Sequence, residues 1–127
     1  MFSHMVLGAN DLEASRQFYD AALGALGHKP GIADPKGRYL YPSKSGSFLI
    51  TKPLDGEPAC HGNGSTLGFA AQSTEEVDAW FKAGSEAGGT PCEEPPGIRE
   101  GAGIKLYLAY LRDPSGNKVC AMYRVRD

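Results

Sequence analysis

Two residues near opposite ends of the chain, His4 and Cys120, carry the side chains best suited to chemistry. An imidazole and a thiolate both bind zinc-type transition metals, and a thiolate is also a nucleophile. A catalytic zinc site needs about three such ligands and one open position, and the sequence nominates no third ligand. A free cysteine also packs as a small buried hydrophobic residue. Cys120 is therefore a metal ligand, a nucleophile or an apolar filler, and we favour the filler.

The composition argues against several classes of function. The 127 residues carry a formal net charge of −2, with 13 Lys and Arg interspersed among 15 Asp and Glu. Because phosphate binding needs clustered basic residues, no nucleic-acid partner is predicted. No apolar run is long enough to span a bilayer, and the first residues lack the features of a signal peptide, so we expect no membrane partner and a cytoplasmic location. Three cysteines without CxxC spacing predict free thiols.

The elements that would position these residues occur twice along the chain. A strand-like run, "FSHMVLGA", precedes the helical pattern "NDLEASRQFYDAALGALG", and "STLGFAAQ" precedes "STEEVDAWFKAGSEAGG". Asn10 and Asp11 can cap the first helix, and the stretch from Ser73 to Glu76 forms a capping box at the start of the second. The helical segments superpose at an offset of 62 residues, which places Glu13 on Glu75. The repeat predicts two equivalent modules.

Each helix is followed by a predicted hairpin with a short polar turn. The hairpins are "GRYLYPSKSGSFLITK" and "IKLYLAYLRDPSGNKVCAMY", and their turn glycines, Gly46 and Gly116, lie 70 residues apart. With a weak strand at "HKPGIAD" or "TPCEEP", each half becomes a βαβββ module. The rest of "TPCEEPPGIREGAG" is predicted to be a loop, in which Glu93 and Glu94 face water. We predict one α+β domain, residues 1–127, in which two curved mixed sheets form a cup with the helices outside. Module one spans residues 1–53, the Pro- and Gly-rich linker 54–63 and module two 64–127.

The order of these elements resembles the vicinal oxygen chelate superfamily, which includes glyoxalase I, bleomycin- and fosfomycin-resistance proteins and extradiol dioxygenases. The resemblance rests on "HMVLGANDLEASRQFY", "GNGSTLGFAAQSTEEVDAWF" and "YLAYLRDPSGNKVCAMY". Metal-dependent members place ligands on the first and last strands of each module, commonly His or Gln and then Glu. Carried over by the repeat, these positions are His4, Ile50, Thr66 and Cys120. The resemblance therefore implies a degenerate metal site, without a cofactor or, alternatively, with Ni, Zn, Mn or Fe bound by His4 and Cys120.

Strand alternation extends these four positions to a predicted binding surface. Lys118 and Met122 should share a face with Cys120, and Tyr107, Ala109 and Leu111 should lie across the hairpin from it. A shift of one residue would reverse every one of these assignments. The predicted substrate-binding residues are His4, Thr66, Cys120, Tyr39, Tyr41, Tyr107, Ile50, Phe48 and Met122, with Lys52 beside them.

Three functions remain open from the sequence. The first is a protein that binds a small molecule, such as a flat aromatic one, in the cup. The second is a metal-dependent enzyme: a lyase or isomerase resembling lactoylglutathione lyase, in which the ion polarises a carbonyl, or a dioxygenase. The third is a structural dimer without a ligand. The resemblance also implies a homodimer in which His4 of one chain meets Cys120 of the other.

Overall fold

The computed structural model of the chain describes residues 1–126. Eight strands and two helices follow one another there in the order of two βαβββ modules. No helix among these residues is long and apolar enough to cross a membrane. The elements are β1 (His4–Gly8), α1 (Leu12–Gly24), β2 (Ile32–Asp34), β3 (Arg38–Tyr41), β4 (Ser47–Thr51), β5 (Leu67–Ala70), α2 (Thr74–Glu86), β6 (Thr90–Gly101), β7 (Ile104–Arg112) and β8 (Lys118–Arg124).

Each module forms its own four-stranded sheet. The strand orders are β1-β4-β3-β2 and β5-β8-β7-β6, and in each sheet the first strand pairs in parallel with the last. The remaining pairs are antiparallel. The predicted fold class, two βαβββ modules with mixed sheets, is therefore confirmed.

The segment "TPCEEPPGIREGAG" differs from the prediction. It was expected to be mostly loop, yet residues Thr90–Gly101 form the long strand β6. Pairing with β7 is interrupted by a bulge between Cys92 and Gly97 and then resumes as far as Gly101. The hairpin closes through Ala102 and Gly103, both at positive φ (51° and 77°), as a tight turn between twisted strands requires.

The helix caps follow the sequence patterns. The Asp11 carboxylate accepts a hydrogen bond from the Ala14 amide at 3.0 Å, and the Ser73 hydroxyl accepts one from the Glu76 amide at 3.1 Å. Each cap satisfies an N–H group that has no partner within the helix. The helices pack against each other where α2 carries Gly84, since a Cβ there would lie 3.0 Å from Phe18.

The helices cover one face of each sheet, which we call the helix face, and leave the opposite face, the open face, uncovered within the chain. Aromatic rings fill the space beneath the helices: the ring of Tyr19 lies 4.7 Å from that of Phe48, which lies 5.3 Å from that of Phe69. Both modules contribute to one buried cluster. The core therefore lies along the helix faces.

The turn between β7 and β8 joins the two modules. Asp113 is almost fully buried and accepts hydrogen bonds from the Tyr19 hydroxyl at 2.6 Å and from the amides of Ser115 and Asn117. The Asn117 side chain donates to the Gly8 carbonyl at 2.8 Å, at the end of β1. The turn that carries much of the family resemblance thus has a structural role, because it ties β8 to β1 and α1.

Candidate functional site

The open face of module one is an exposed, mainly apolar surface. His4 and Val6 lie on it from β1, and Val6 pairs with Leu49 of β4, which pairs with Leu40 of β3. Val6 remains 43% exposed. His4 is also exposed, and its Nδ1 lies 2.7 Å from the Ser3 hydroxyl, which leaves Nε2 as the ring nitrogen free to meet a ligand.

The sequence-based prediction of which module-one side chains face the cup was wrong by one residue. Ile50 is fully buried and pairs with Leu7, whereas His4 and Val6 lie on the opposite face of β1. Phe48 packs on Tyr19, and the Tyr41 hydroxyl donates to Asp20 of α1 at 2.8 Å. These side chains, which were expected on the open face, lie on the helix face.

Tyr39 and Tyr107 also turned out to lie on the helix face. The Arg16 guanidinium stacks 5.8 Å from the Tyr39 ring, and the Tyr107 hydroxyl donates to Asp78 of α2 at 2.7 Å. Ala109 and Leu111, the other two residues expected across from Cys120, are fully buried in the core. Both tyrosines are partly buried and pack against the core, so their rings contribute to packing beneath the helices.

The one-residue error in the predicted face has its cause in the turn between β7 and β8. Six residues separate the helix-face pair Tyr41 and Phe48, whereas seven separate the equivalent pair Leu111 and Val119. An offset of 70 therefore holds for β3 but becomes 71 for β4. Leu49, not Ile50, is the counterpart of Cys120.

The open face of module two carries the chemistry-bearing side chains. Cys120 pairs with Gly68 on one side and with Tyr110 on the other, and Tyr110 pairs with Cys92 of β6. Lys118 and Met122 share this face with Cys120, as the alternation predicts, and Thr66 lies exposed just before β5. The roles of His4, Thr66, Cys120 and Met122 in binding stay predictions.

An ion pair on this face joins the edge strand β6 to the inner strand β8. The Lys118 ammonium forms a salt bridge with the Glu93 carboxylate and lies 4.9 Å from the centre of the Tyr110 ring. The hydrogen bond to Glu93 raises the pKa of Lys118, and burial, followed by the nearby negative groups, raises the pKa of Tyr110. Lys118 is therefore held as a cation.

The thiol of Cys120 is unsuited to nucleophilic attack. Only 7% of the residue is exposed, and burial raises its pKa to about 11 despite the opposing charge of Lys118. A neutral thiol is a poor nucleophile. The geometry favours the filler role for Cys120 on an otherwise open surface.

The four positions that hold a metal in related proteins do not fit one here. By strand register they are His4, Leu49, Thr66 and Cys120: one imidazole, one hydrocarbon, one hydroxyl and one thiol. Within residues 1–126 no three His, Cys, Asp or Glu side chains cluster closely enough to hold a metal ion. This donor set falls short of the three good ligands that a catalytic zinc site requires.

Sequence reasoning overlooked Leu49, Glu93 and Tyr110. Glu93 was expected to face water from a loop, because a Pro-rich segment gives little sign of a bulged strand. Leu49 could have been found by requiring that β1 and β4 present equivalent faces. Two shallow surface clefts lie elsewhere, beside Asn10 and Lys52 at the ends of β1 and β4.

Comparisons with known proteins agree with this architecture. A family model described as Glyoxalase/Bleomycin resistance protein/Dioxygenase superfamily matches residues 1–121. The crystal structure of a glyoxalase/bleomycin resistance protein from Albidiferax ferrireducens T118 is 64% identical in sequence, with a TM-score of 0.94 over 98% of this chain and 99% of that one.

More distant structures share the fold alone. A putative glyoxalase from Bacillus halodurans has 22% identity and a TM-score of 0.74, over 96% of this chain and 94% of that one. A lactoylglutathione lyase from Agrobacterium tumefaciens has 20% identity and a TM-score of 0.65, over 96% and 92%. No curated protein matches the sequence.

Proposed function

Because the chain belongs to the glyoxalase/bleomycin resistance/dioxygenase superfamily, we propose that it binds a small organic molecule between two open faces, without help from a transition metal. One face comes from module one of one copy and the other from module two of a second copy. The carrying observation is that both faces are uncovered within the chain while the donor positions hold Leu49 and Thr66.

The exposed apolar side chains support the pairing of two copies. Val6 is 43% exposed on module one and Met122 is 38% exposed on module two, both in the middle of regular strands. Ile32, at the edge of the first sheet, is 55% exposed. A sheet face that exposes this much apolar surface is typical of an interaction site, and a homodimer would cover it while closing the cup.

The chemistry of the faces supports binding more than metal-assisted conversion. The surface offers hydrocarbon and sulfur from Val6, Leu49 and Met122, with polar groups at His4 and Lys118. Mainly apolar walls with a few polar groups are characteristic of small-molecule sites. The family's resistance proteins suggest sequestration as the outcome of such binding, and a cytoplasmic location stays a prediction.

A calorimetric titration with Ni²⁺, Zn²⁺ and Mn²⁺ tests the absence of a metal role. We expect no tight binding to the natural protein, and tight binding to the triple variant Leu49→Glu, Thr66→His, Cys120→Glu, which supplies the missing donors. The matched control is the same triple variant with His4→Ala, which should bind at least tenfold more weakly because it loses the remaining imidazole.

The same samples should be run by size exclusion with light scattering. A dimer of the natural protein is expected. A monomer at micromolar concentration, or one tightly bound ion per chain that is lost in His4→Ala of the natural protein, would contradict the proposal.

A further inference from the structure

Three neighbouring strands bring one charged cluster to the open face of module two. Glu93 comes from β6, Tyr110 from β7 and Lys118 from β8, and the Lys118 ammonium lies between the carboxylate and the ring. Glu93 precedes Tyr110 by 17 residues and Lys118 by 25, so the sheet brings it to the other two, which belong to one hairpin. None of them takes part in the core.

The backbone at Glu93 is held in an unfavourable conformation. Its φ is 58°, in the left-handed region, and it lies in the bulge that interrupts pairing between β6 and β7. A residue with a Cβ adopts this region at a cost in free energy. Bulges of this kind serve to redirect a side chain, and here the redirected side chain meets Lys118.

Arg99 fixes the bulge in place. Its guanidinium donates hydrogen bonds to the carbonyls of Glu94 at 2.9 Å, Pro95 at 3.1 Å, Gly97 at 3.0 Å and Leu108 at 3.3 Å. The segment is thus a built feature rather than a free loop, and Arg99 places a second positive charge close enough to influence Tyr110.

Folding stability does not account for this arrangement. A partly exposed ion pair contributes little to stability, and here the Lys118 and Glu93 side chains are 23% and 44% exposed. The pair lies on the face that the helices leave uncovered. Gly68, the exposed neighbour of Cys120 on β5, has no side chain, so the strand beside this cation is accessible to a ligand.

We propose that Lys118 binds the carboxylate of a small aromatic acid whose ring lies over Gly68 and Cys120, and that Glu93 is the internal anion that this carboxylate displaces. The proposal rests on the proposed function, because it assigns the polar end of that ligand. An ammonium already paired with a carboxylate is positioned for another one. The sulfurs of Cys120 and Met122 are favourable neighbours for an aromatic ring.

Benzoate and benzyl alcohol are suitable probes, because they present the same ring with and without a carboxylate. Each is titrated into ¹⁵N-labelled natural protein while the amides of Gly68 and Cys120 are followed by NMR. We expect both probes to shift these amides, and benzoate to bind about fivefold more tightly.

Two variants of the pair should change benzoate affinity in opposite directions. Lys118→Met removes the cation and keeps the length of the side chain, so benzoate should bind about fivefold more weakly and benzyl alcohol as before. Glu93→Gln removes the competing anion, so benzoate should bind about two- to fivefold more tightly. A purely structural role for the pair would not produce a gain of affinity.

Lys105→Met is the matched control. Lys105 is also a strand lysine of module two, with its ammonium 4.0 Å from Glu100, but it lies on the opposite face from Tyr110. Its loss should leave benzoate affinity unchanged. If benzoate and benzyl alcohol bind equally, or if Lys118→Met and Lys105→Met behave alike, the inference is overturned while the proposed function stands. If neither probe shifts the open-face amides, both fail.

Discussion

The two faces of each sheet differ in what their side chains do. On the helix face, residues such as Ile50, Val119 and Ala121 are fully buried against neighbouring side chains. On the open face, one residue away along the same strands, Val6 and Met122 keep about two-fifths of their surface in solvent. The helix face forms the core of the folded chain, and the open face remains partly exposed and able to contact a ligand or a second copy.

The two faces therefore differ in which residues are available for function. The large aromatic residues, which attract attention as ligand-stacking candidates, are used by the helix face: Tyr41 bonds to α1 and Tyr107 to α2. Apart from Tyr110, the open face has mainly smaller or flexible side chains, with the ion pairs Glu93–Lys118 in module two and Asp34–Arg38 in module one. Functional specificity is thus expected from a few polar groups on a plain surface.

The largest difference between the two faces is expected when a carboxylate is placed at each of two adjacent positions of β4. Ile50→Glu should unfold the protein, because burying an unpaired charge costs several kcal/mol, comparable to a domain's total stability of about 5–15 kcal/mol. Leu49→Glu should change stability by no more than about 1 kcal/mol. Urea unfolding followed by circular dichroism measures both. Equal losses would show that β4 has been assigned the wrong register.

A second comparison removes one carboxylate from the interior and one from the open face. Asp113→Ala should cost about 3 kcal/mol or more, because it leaves the Tyr19 hydroxyl and the Asn117 groups without their buried acceptor. Glu93→Ala should cost less than about 1 kcal/mol, as partly exposed ion pairs do. Thermal melts of the two variants and the natural protein test the ranking, which a larger loss in Glu93→Ala would reverse.

The smallest change is a chemical one that leaves the fold intact. Since the pKa of Cys120 is about 11, about one thousandth of its thiol is ionised at pH 8, and alkylation by iodoacetamide should be slow. The rate at Cys120 should rise about tenfold for each pH unit up to pH 10. Cys60, which is exposed, serves as the control. Peptide mass spectrometry that finds Cys120 modified at pH 8 as fast as Cys60 would contradict the burial described for it.

Much of the fold could be predicted from local patterns. The caps at Asp11 and Ser73 and the turn at Asp113 through Asn117 depend on neighbouring residues, so their sequences are informative. The long strand β6 could not be predicted in this way. Its bulge depends on hydrogen bonds from Arg99 to four carbonyls, a set of contacts that no periodic pattern encodes.

The candidate site was predicted in part. Cys120, Lys118 and Met122 were placed on one face, and the structure has them there. The matching positions of module one were misplaced because the second turn is longer by one residue, so that Leu49 takes the place given to Ile50. In a strand an error of one residue reverses the face.

The repeat, the two βαβββ modules and the family could be predicted from the amino-acid sequence, because they depend on the order of elements and on short-range patterns of capping and turns. Which residues of each strand face the helices depends on the tertiary structure. Alternation divides a strand into two faces but does not specify which of them the helices cover. The tertiary structure also decided that Glu93 of β6 and Lys118 of β8 form a pair. Contacts between strands distant in sequence arise only when the sheet has assembled.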